Sequence, residues 1–195
     1  ITCRDWSSDV CSSDLAAASI VLGASATGSR VYSATSSQGL LLMTEVVYNI
    51  SGMRLPVVMT LANRAISAPI NIWNDQQDAM AIKDAGWIMF FAENNQEAIE
   101  QHILAYKIAE KMKIPVMVNV DGFILTHCYE EVKIYDQKII NKFLPKYKPK
   151  TGEFLDTKNP VTMGAFMSPQ HYQKTRETLY NDFQKALKEI DTEYF

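Results

Sequence analysis

Cysteine, histidine and glycine are scarce in this chain of 195 residues, and each shortage removes a class of function. Of the three cysteines, Cys3 and Cys11 fall in an opening segment unlike the rest, leaving Cys128 alone in the body of the chain. No disulfide framework follows, and no cysteine cluster for zinc or an iron–sulfur centre. The eight glycines form neither a GxGxxG fingerprint nor a Walker loop with its lysine. No apolar run reaches the roughly twenty residues that span a bilayer, and no basic start followed by an apolar stretch marks a secretory signal. Charge of one sign is lacking too: the formal net charge is -3, and the positive residues are scattered among acids. Neither nucleic acid nor a membrane is therefore expected as partner, and the chain reads as cytoplasmic. What is present is a 47% hydrophobic content over a length that suits one domain with a real core.

Residues 1–15, ITCRDWSSDVCSSDL, have no hydrophobic period and contain four Ser, three Asp and two Cys. From Asp5 to Leu15 they back-translate into an in-frame stretch that resembles a common sequencing-adapter oligonucleotide; a disordered polar arm has a similar composition. Residues 1–15 are expected to be adapter-derived, and the fold to start at Ala16.

From there, strands and helices alternate. Residues 16–28 (AAASIVLGASATG) read as a closely packed helix ended by Gly28. Residues 30–35 are short and β-prone, and Ser36 or Ser37 caps a helix carrying Leu40, Met43, Val47 and Ile50 up to Gly52. Residues 55–61 (LPVVMTL) form a continuous apolar run, the pattern of a strand covered on both faces. The segment 62–69 is expected to be a loop at the carboxyl end of that strand. A short helix around 75–85, a strand at 87–91, a helix from Asn94 or Asn95 to about Lys111 and a strand at 115–120 follow. Units of this kind predict an α/β fold: an open, mostly parallel sheet flanked by helices. Residues 16–145 are assigned to that domain. Residues 146–195 are a connector and a helix opened by Pro169, which either docks back on the sheet or leads toward a further domain.

Few residues suggest chemistry by themselves. Gly23 to Gly28 (GASATG) invites a phosphate-loop reading, but a helix whose small side chains admit a neighbouring backbone accounts for it better. His127, Cys128, Glu130 and Glu131 match no metal or catalytic spacing and read as a loop, while His102 and His171 have no partner visible in sequence. Arg64 differs, because open α/β sheets bind ligands at strand carboxyl ends and small neighbours leave its guanidinium accessible. A planar fork of donors suits a carboxylate; a structural or surface arginine has the same signature.

Several ordered segments carry a resemblance: SATSSQGLLLM at 33–43, SGMRLPVVM at 51–59, NRAISAPINIW at 63–73, DGFILTH at 121–127 and NPVTMGAF at 159–166. Together they resemble the alpha subunits of 2-oxoacid:ferredoxin oxidoreductases, and among them the pyruvate enzyme, over essentially all of the chain from Ala16. The resemblance implies the pyrimidine-side domain of a thiamine-diphosphate fold. The implied reaction is oxidative decarboxylation of pyruvate with CoA to acetyl-CoA, CO2 and reduced ferredoxin. Thiamine diphosphate with Mg2+ would be shared with a partner subunit, and iron–sulfur clusters would lie in beta, gamma and delta-type partners, with no metal held by this chain. Arg64 matches the arginine that receives the substrate carboxylate; Ser36, Ser37, Gln38, Gly39 and Asn71 match the cofactor-facing rim. A glutamate that bonds the aminopyrimidine is expected just before Ala16, at a position inside the adapter-like segment, so the chain is expected to be a fragment truncated at both ends and inactive by itself. The alternatives are a sister enzyme for branched-chain 2-oxoacids or 2-oxoglutarate, and a non-catalytic α/β subunit-interaction module.

Overall fold

The computed structural model describes residues 13–193. Residues 1–12 of the adapter-like segment lie outside the described residues. Ser13 to Leu15 lie inside them and start the first helix, α1 (Asp14–Ala26), with the Ser13 side chain accepting from the Ala16 N–H as its N-cap.

Four strands, β1 (Tyr32–Thr35), β2 (Val58–Asn63), β3 (Ile88–Phe91) and β4 (Val116–Asp121), form one sheet in the order β1-β2-β4-β3. Every pairing is parallel, with Val58 opposite Val116 and Asn63 opposite Asp121. The apolar runs are continuous because both faces are covered. On one face Met59, Leu61 and Met117 pack with α1, α2 (Gln38–Leu42), α3 (Thr44–Gly52) and α4 (Gln77–Ala81), burying Leu40, Met43 and Ile50. On the other, Val58, Val116 and Val118 pack against Leu104 and Ile108 of α5 (Asn95–Met112) and Leu179 and Ala186 of α7 (Pro169–Thr192). Each fully buried Leu or Ile here is worth about 1.5–3 kcal/mol relative to exposure.

The open parallel α/β sheet expected from the sequence is therefore the fold, with differences at element ends. The helix expected after Ser36 or Ser37 is interrupted at Met43, which separates α2 from α3. Ser37 has φ 47° and no capping bond, so it does not cap α2 through its side chain. β2 extends through Ala62 and Asn63, two residues expected in the loop, because Asn63 still pairs in register with Asp121 and its amide is satisfied inside the sheet. Asn94 caps α5 by accepting from Glu97 N–H, and Lys113 in the left-handed conformation ends it before Pro115. α6 (Gln137–Phe143) starts behind Asp136, whose side chain accepts from Lys138 N–H.

The connector and α7 fold back against the amino ends of the strands. Arg54, at the end of α3, donates to the Lys113 and Met112 carbonyls at the terminus of α5 and also pairs with Asp182 of α7 at 2.8 Å. Lys107 and Lys111 of α5 pair with Glu193 and Glu189. Arg30 forms a fork with Glu110 and donates to the Pro145 carbonyl at 2.8 Å, while Lys113 meets Glu153 and the Tyr147 hydroxyl, each at 2.9 Å. Gly28, at φ 86°, faces Pro149 so closely that a Cβ would come within 2.9 Å of it. Arg54→Ala is expected to lower stability by about 1–3 kcal/mol, because it leaves two helix-end carbonyls without their donor and Asp182 paired with Lys185 alone. The measurement is thermal melting together with limited proteolysis; α7 should be cut first, and an unchanged melting temperature would show that the clamp is dispensable.

Candidate functional site

The loops that leave the carboxyl ends of β1 and β2 are joined through one side chain, Asp78 at the start of α4, which is fully buried. Its Oδ2 accepts from the backbone N–H groups of Ser37 (3.0 Å) and Arg64 (3.1 Å). Its Oδ1 accepts from the Asn63 amide (2.9 Å) and from Ala79 N–H (2.8 Å). The other Asn63 amide hydrogen goes to Asn119 Oδ1 (3.1 Å), and Asn119 donates to the Phe90 carbonyl (2.8 Å). A polar belt thus crosses the carboxyl ends of all four strands.

Arg64 lies just outside this belt. Its Cγ and Nε run over Gly122, where a Cβ would stand 2.7 Å from Cγ and 2.4 Å from the Asn63 carbonyl. The Arg64 Nε is buried and has no hydrogen-bond partner among the described residues. A buried guanidinium donor left open costs about 1–3 kcal/mol, which an incoming acceptor such as a carboxylate would offset. Ser36 donates to the Ala62 carbonyl (2.7 Å) and Ser37 to the Ala65 carbonyl (2.8 Å), so the turn after β1 is sewn to the turn after β2. Gln38 is exposed, with its Oε1 2.6 Å from the Ser37 hydroxyl. Asn71 closes its own loop: its carbonyl accepts from Ala65 N–H, its Oδ1 accepts from Trp73 N–H, and its amide donates to the Asn74 carbonyl.

Two features escaped the reading of the sequence. Asp14 accepts from the Thr35 hydroxyl at 2.9 Å and lies 2.7 Å from where a Cβ of Gly39 would stand, so Gly39 makes room for a carboxylate at the edge of the site. Asp14 was set aside with the adapter-like segment. Asp78 carried no signal beyond an acid near a helix start. Elsewhere, His127 stacks on Phe123 (ring centroids 4.6 Å apart), which faces Trp73 in turn, and Glu130 accepts from Asn95 N–H at the head of α5. His127, Cys128, Glu130 and Glu131 thus form a loop, as expected. A cleft of about 770 Å³ between Met53, Arg54, Met167, Tyr172 and Arg176 lies at the opposite end of the sheet and contains none of these residues.

Comparison with known proteins bears directly on this arrangement. Residues 10–195 match the family model described as "Pyruvate flavodoxin/ferredoxin oxidoreductase, thiamine diP-bdg". The chain belongs to this family. It is 50% identical over 181 residues to pyruvate synthase subunit PorA of Pyrococcus horikoshii, covering 92% of this chain and 46% of that one. It is 52% identical over 180 residues to the Methanosarcina barkeri subunit of the same name, covering 91% and 44%. Ketoisovalerate oxidoreductase subunit VorA of P. horikoshii is 40% identical over 185 residues, covering 93% of this chain and 47% of the subunit. A solved 2-oxoglutarate:ferredoxin oxidoreductase from Magnetococcus marinus has the same fold, with a TM-score of 0.64 at 20% identity over 91% of this chain and 36% of that one. The chain spans somewhat less than half the length of these curated relatives.

In this member of the family, His102 has a structural place rather than a site role. Its Nδ1 meets the Ala98 carbonyl (2.6 Å) and its Nε2 the Thr60 hydroxyl, which also accepts from Tyr32 (2.7 Å). Burial pushes its pKa below the ordinary value. The unfolded chain therefore binds a proton that the folded chain refuses, and the stability present above about pH 6.5 falls as pH drops below it. His102→Gln should flatten that part of a melting-temperature profile; an equally steep profile would exclude His102 as its source. Gly122→Ala is expected to cost about 1–3 kcal/mol and to displace Arg64, since the backbone oxygen of Asn63 cannot yield as a side chain could. Melting curves test the first effect, and a wild-type curve would contradict it.

Proposed function

We propose that the parent protein is the alpha subunit of a pyruvate:ferredoxin oxidoreductase, which converts pyruvate and CoA to acetyl-CoA and CO2 while electrons pass to ferredoxin. The observation that carries this reading is Arg64: an arginine at a strand carboxyl end, seated on Gly122, with a buried Nε that has no acceptor among the described residues. It is assigned to the carboxylate of pyruvate, holding the substrate in place by charge and geometry. The pyruvate synthase subunits at about 50% identity support pyruvate over the ketoisovalerate-type substrate of the relative at 40%.

The residues present fit one side of a thiamine-diphosphate site. Ser36, Ser37, Gln38 and Gly39 form its rim, with Asn71 holding the adjacent loop in shape. The glutamate expected to bond the aminopyrimidine belongs to the position taken here by the adapter-like segment, whose Asp14 accepts from the Thr35 hydroxyl at 2.9 Å. When bound, thiamine diphosphate supplies the thiazolium carbon that takes up electrons on decarboxylation. Mg2+ and the iron–sulfur clusters are assigned to beta, gamma and delta-type subunits or domains, and the whole to the cytoplasm. Residues 146–195 are read as the passage toward a further domain.

The test is steady-state turnover in the full-length subunit assembled with its partners. Arg64→Ala should lower kcat/KM for pyruvate on the order of 100-fold, and Arg64→Lys, which keeps charge but not the fork, should fall between. Unchanged turnover in Arg64→Ala would refute the carboxylate role. A higher kcat/KM for a branched-chain 2-oxoacid or 2-oxoglutarate than for pyruvate would move the protein to a sister activity, and no turnover of any 2-oxoacid would favour a non-catalytic interaction module.

A further inference from the structure

We infer that Asp78 is a positioning residue: it sets where the Arg64 backbone and the Ser37 turn stand relative to each other without touching a ligand. The inference rests on the assignment of Arg64 to the substrate carboxylate. Three observations carry it.

The first is that a single oxygen, Oδ2, accepts from both Ser37 N–H and Arg64 N–H, two segments separated along the chain by α2, α3 and β2. Moving that atom moves both turns together. The second is that the carboxylate is itself oriented from the far side of the sheet. Oδ1 is held by Asn63 and by Ala79 N–H, Asn63 is held by Asn119, and Asn119 is held by the Phe90 carbonyl. All four of these acceptor contacts are made by N–H groups, and no cation is paired with Asp78 among the described residues. A buried carboxylate without a counter-ion is a costly way to fill a core, since an apolar side chain of the same volume would serve packing as well or better. What the carboxylate does supply is geometry. The third is that the irregular features of this region gather around it: Ser37 is at φ 47° without being glycine, and the Arg64 Nε is buried without an acceptor. Such conformations persist where surrounding contacts over-determine them.

Asp78→Asn keeps the shape but replaces one acceptor oxygen with a donor NH2, so one pair of N–H groups faces another donor whichever way the amide turns. If Asn63 turns over to compensate, its bond to Asn119 is lost, and the disturbance runs along the belt.

The experiment is a double-mutant cycle in the full-length subunit assembled with its partners, using pyruvate as substrate. Asp78→Asn is expected to raise KM about tenfold or more with a smaller change in kcat, because the arginine is displaced rather than removed. In an Arg64→Ala background, adding Asp78→Asn should change the KM for pyruvate by less than about twofold, since the arginine it positions is already gone. A purely structural role would instead reduce the active fraction, lowering kcat with KM unchanged, and its loss would multiply onto that of Arg64→Ala; either result overturns the inference. If Arg64→Ala alone has no effect, the carboxylate assignment fails, and this inference fails with it by a separate arm. Should Asp78→Asn not assemble, Asp78→Glu keeps both acceptor oxygens but sets them one methylene further from the main chain. Assembly with a raised KM and little change in kcat supports the inference; a wild-type KM overturns it.

Discussion

Asp78 is fully buried, carries a carboxylate and collects four N–H donors from three separate stretches of chain. Burying an ionised group is tolerable only when its oxygens are satisfied, so the turn after β1, the turn after β2 and the start of α4 must all arrive at one place for the fold to close. The apolar clusters on the two faces of the sheet stabilise the layers but leave the strand ends free to splay. The polar belt from Ser37 through Asp78, Asn63 and Asn119 to Phe90 removes that freedom. Directional bonds specify a geometry there that non-directional packing cannot.

The two ends of the sheet are accordingly built in different ways. At the amino ends, Arg54, Lys107, Lys111 and Lys113 join α3, α5, the connector and α7 through ion pairs and carbonyl contacts, and the chain covers that end with its own residues. At the carboxyl ends, bonds run mainly among backbone and short side chains, and Arg64 keeps a donor open. Ile70, Trp73 and Ile124 remain exposed on the loops beside it. The amino end is closed by ion pairs of the chain itself, and the proposed site residues lie at the carboxyl end. The cleft beside Arg54 and Arg176, at the amino ends, contains none of the proposed site residues.

Much of this was legible along the chain because it depends on local periodicity. Unbroken apolar runs around Met59 and Met117 require a covered strand, Asn94 before a 3.6-residue stripe requires a helix start, and small residues around Arg64 at a strand end mark an open loop. The element ends were less legible. Asn63 reads as a loop residue until its amide is seen between two carboxamide and carboxylate partners, and Ser37 reads as a cap until its hydroxyl is found on the Ala65 carbonyl. Polar residues break a sequence pattern whether they leave the core or are satisfied within it.

The sequence by itself determined the alternation of strands and helices and the covered parallel sheet, which follow from side-chain type and spacing, while the family and the interest of Arg64 came from the ordered segments that carry the resemblance. Only the tertiary structure decided that Asp78 joins the loops, that Gly122 seats the arginine, that Asp14 reaches Thr35, and that α7 returns to α5. These are meetings between residues far apart in the chain, and no local period encodes which distant N–H a buried carboxylate will receive.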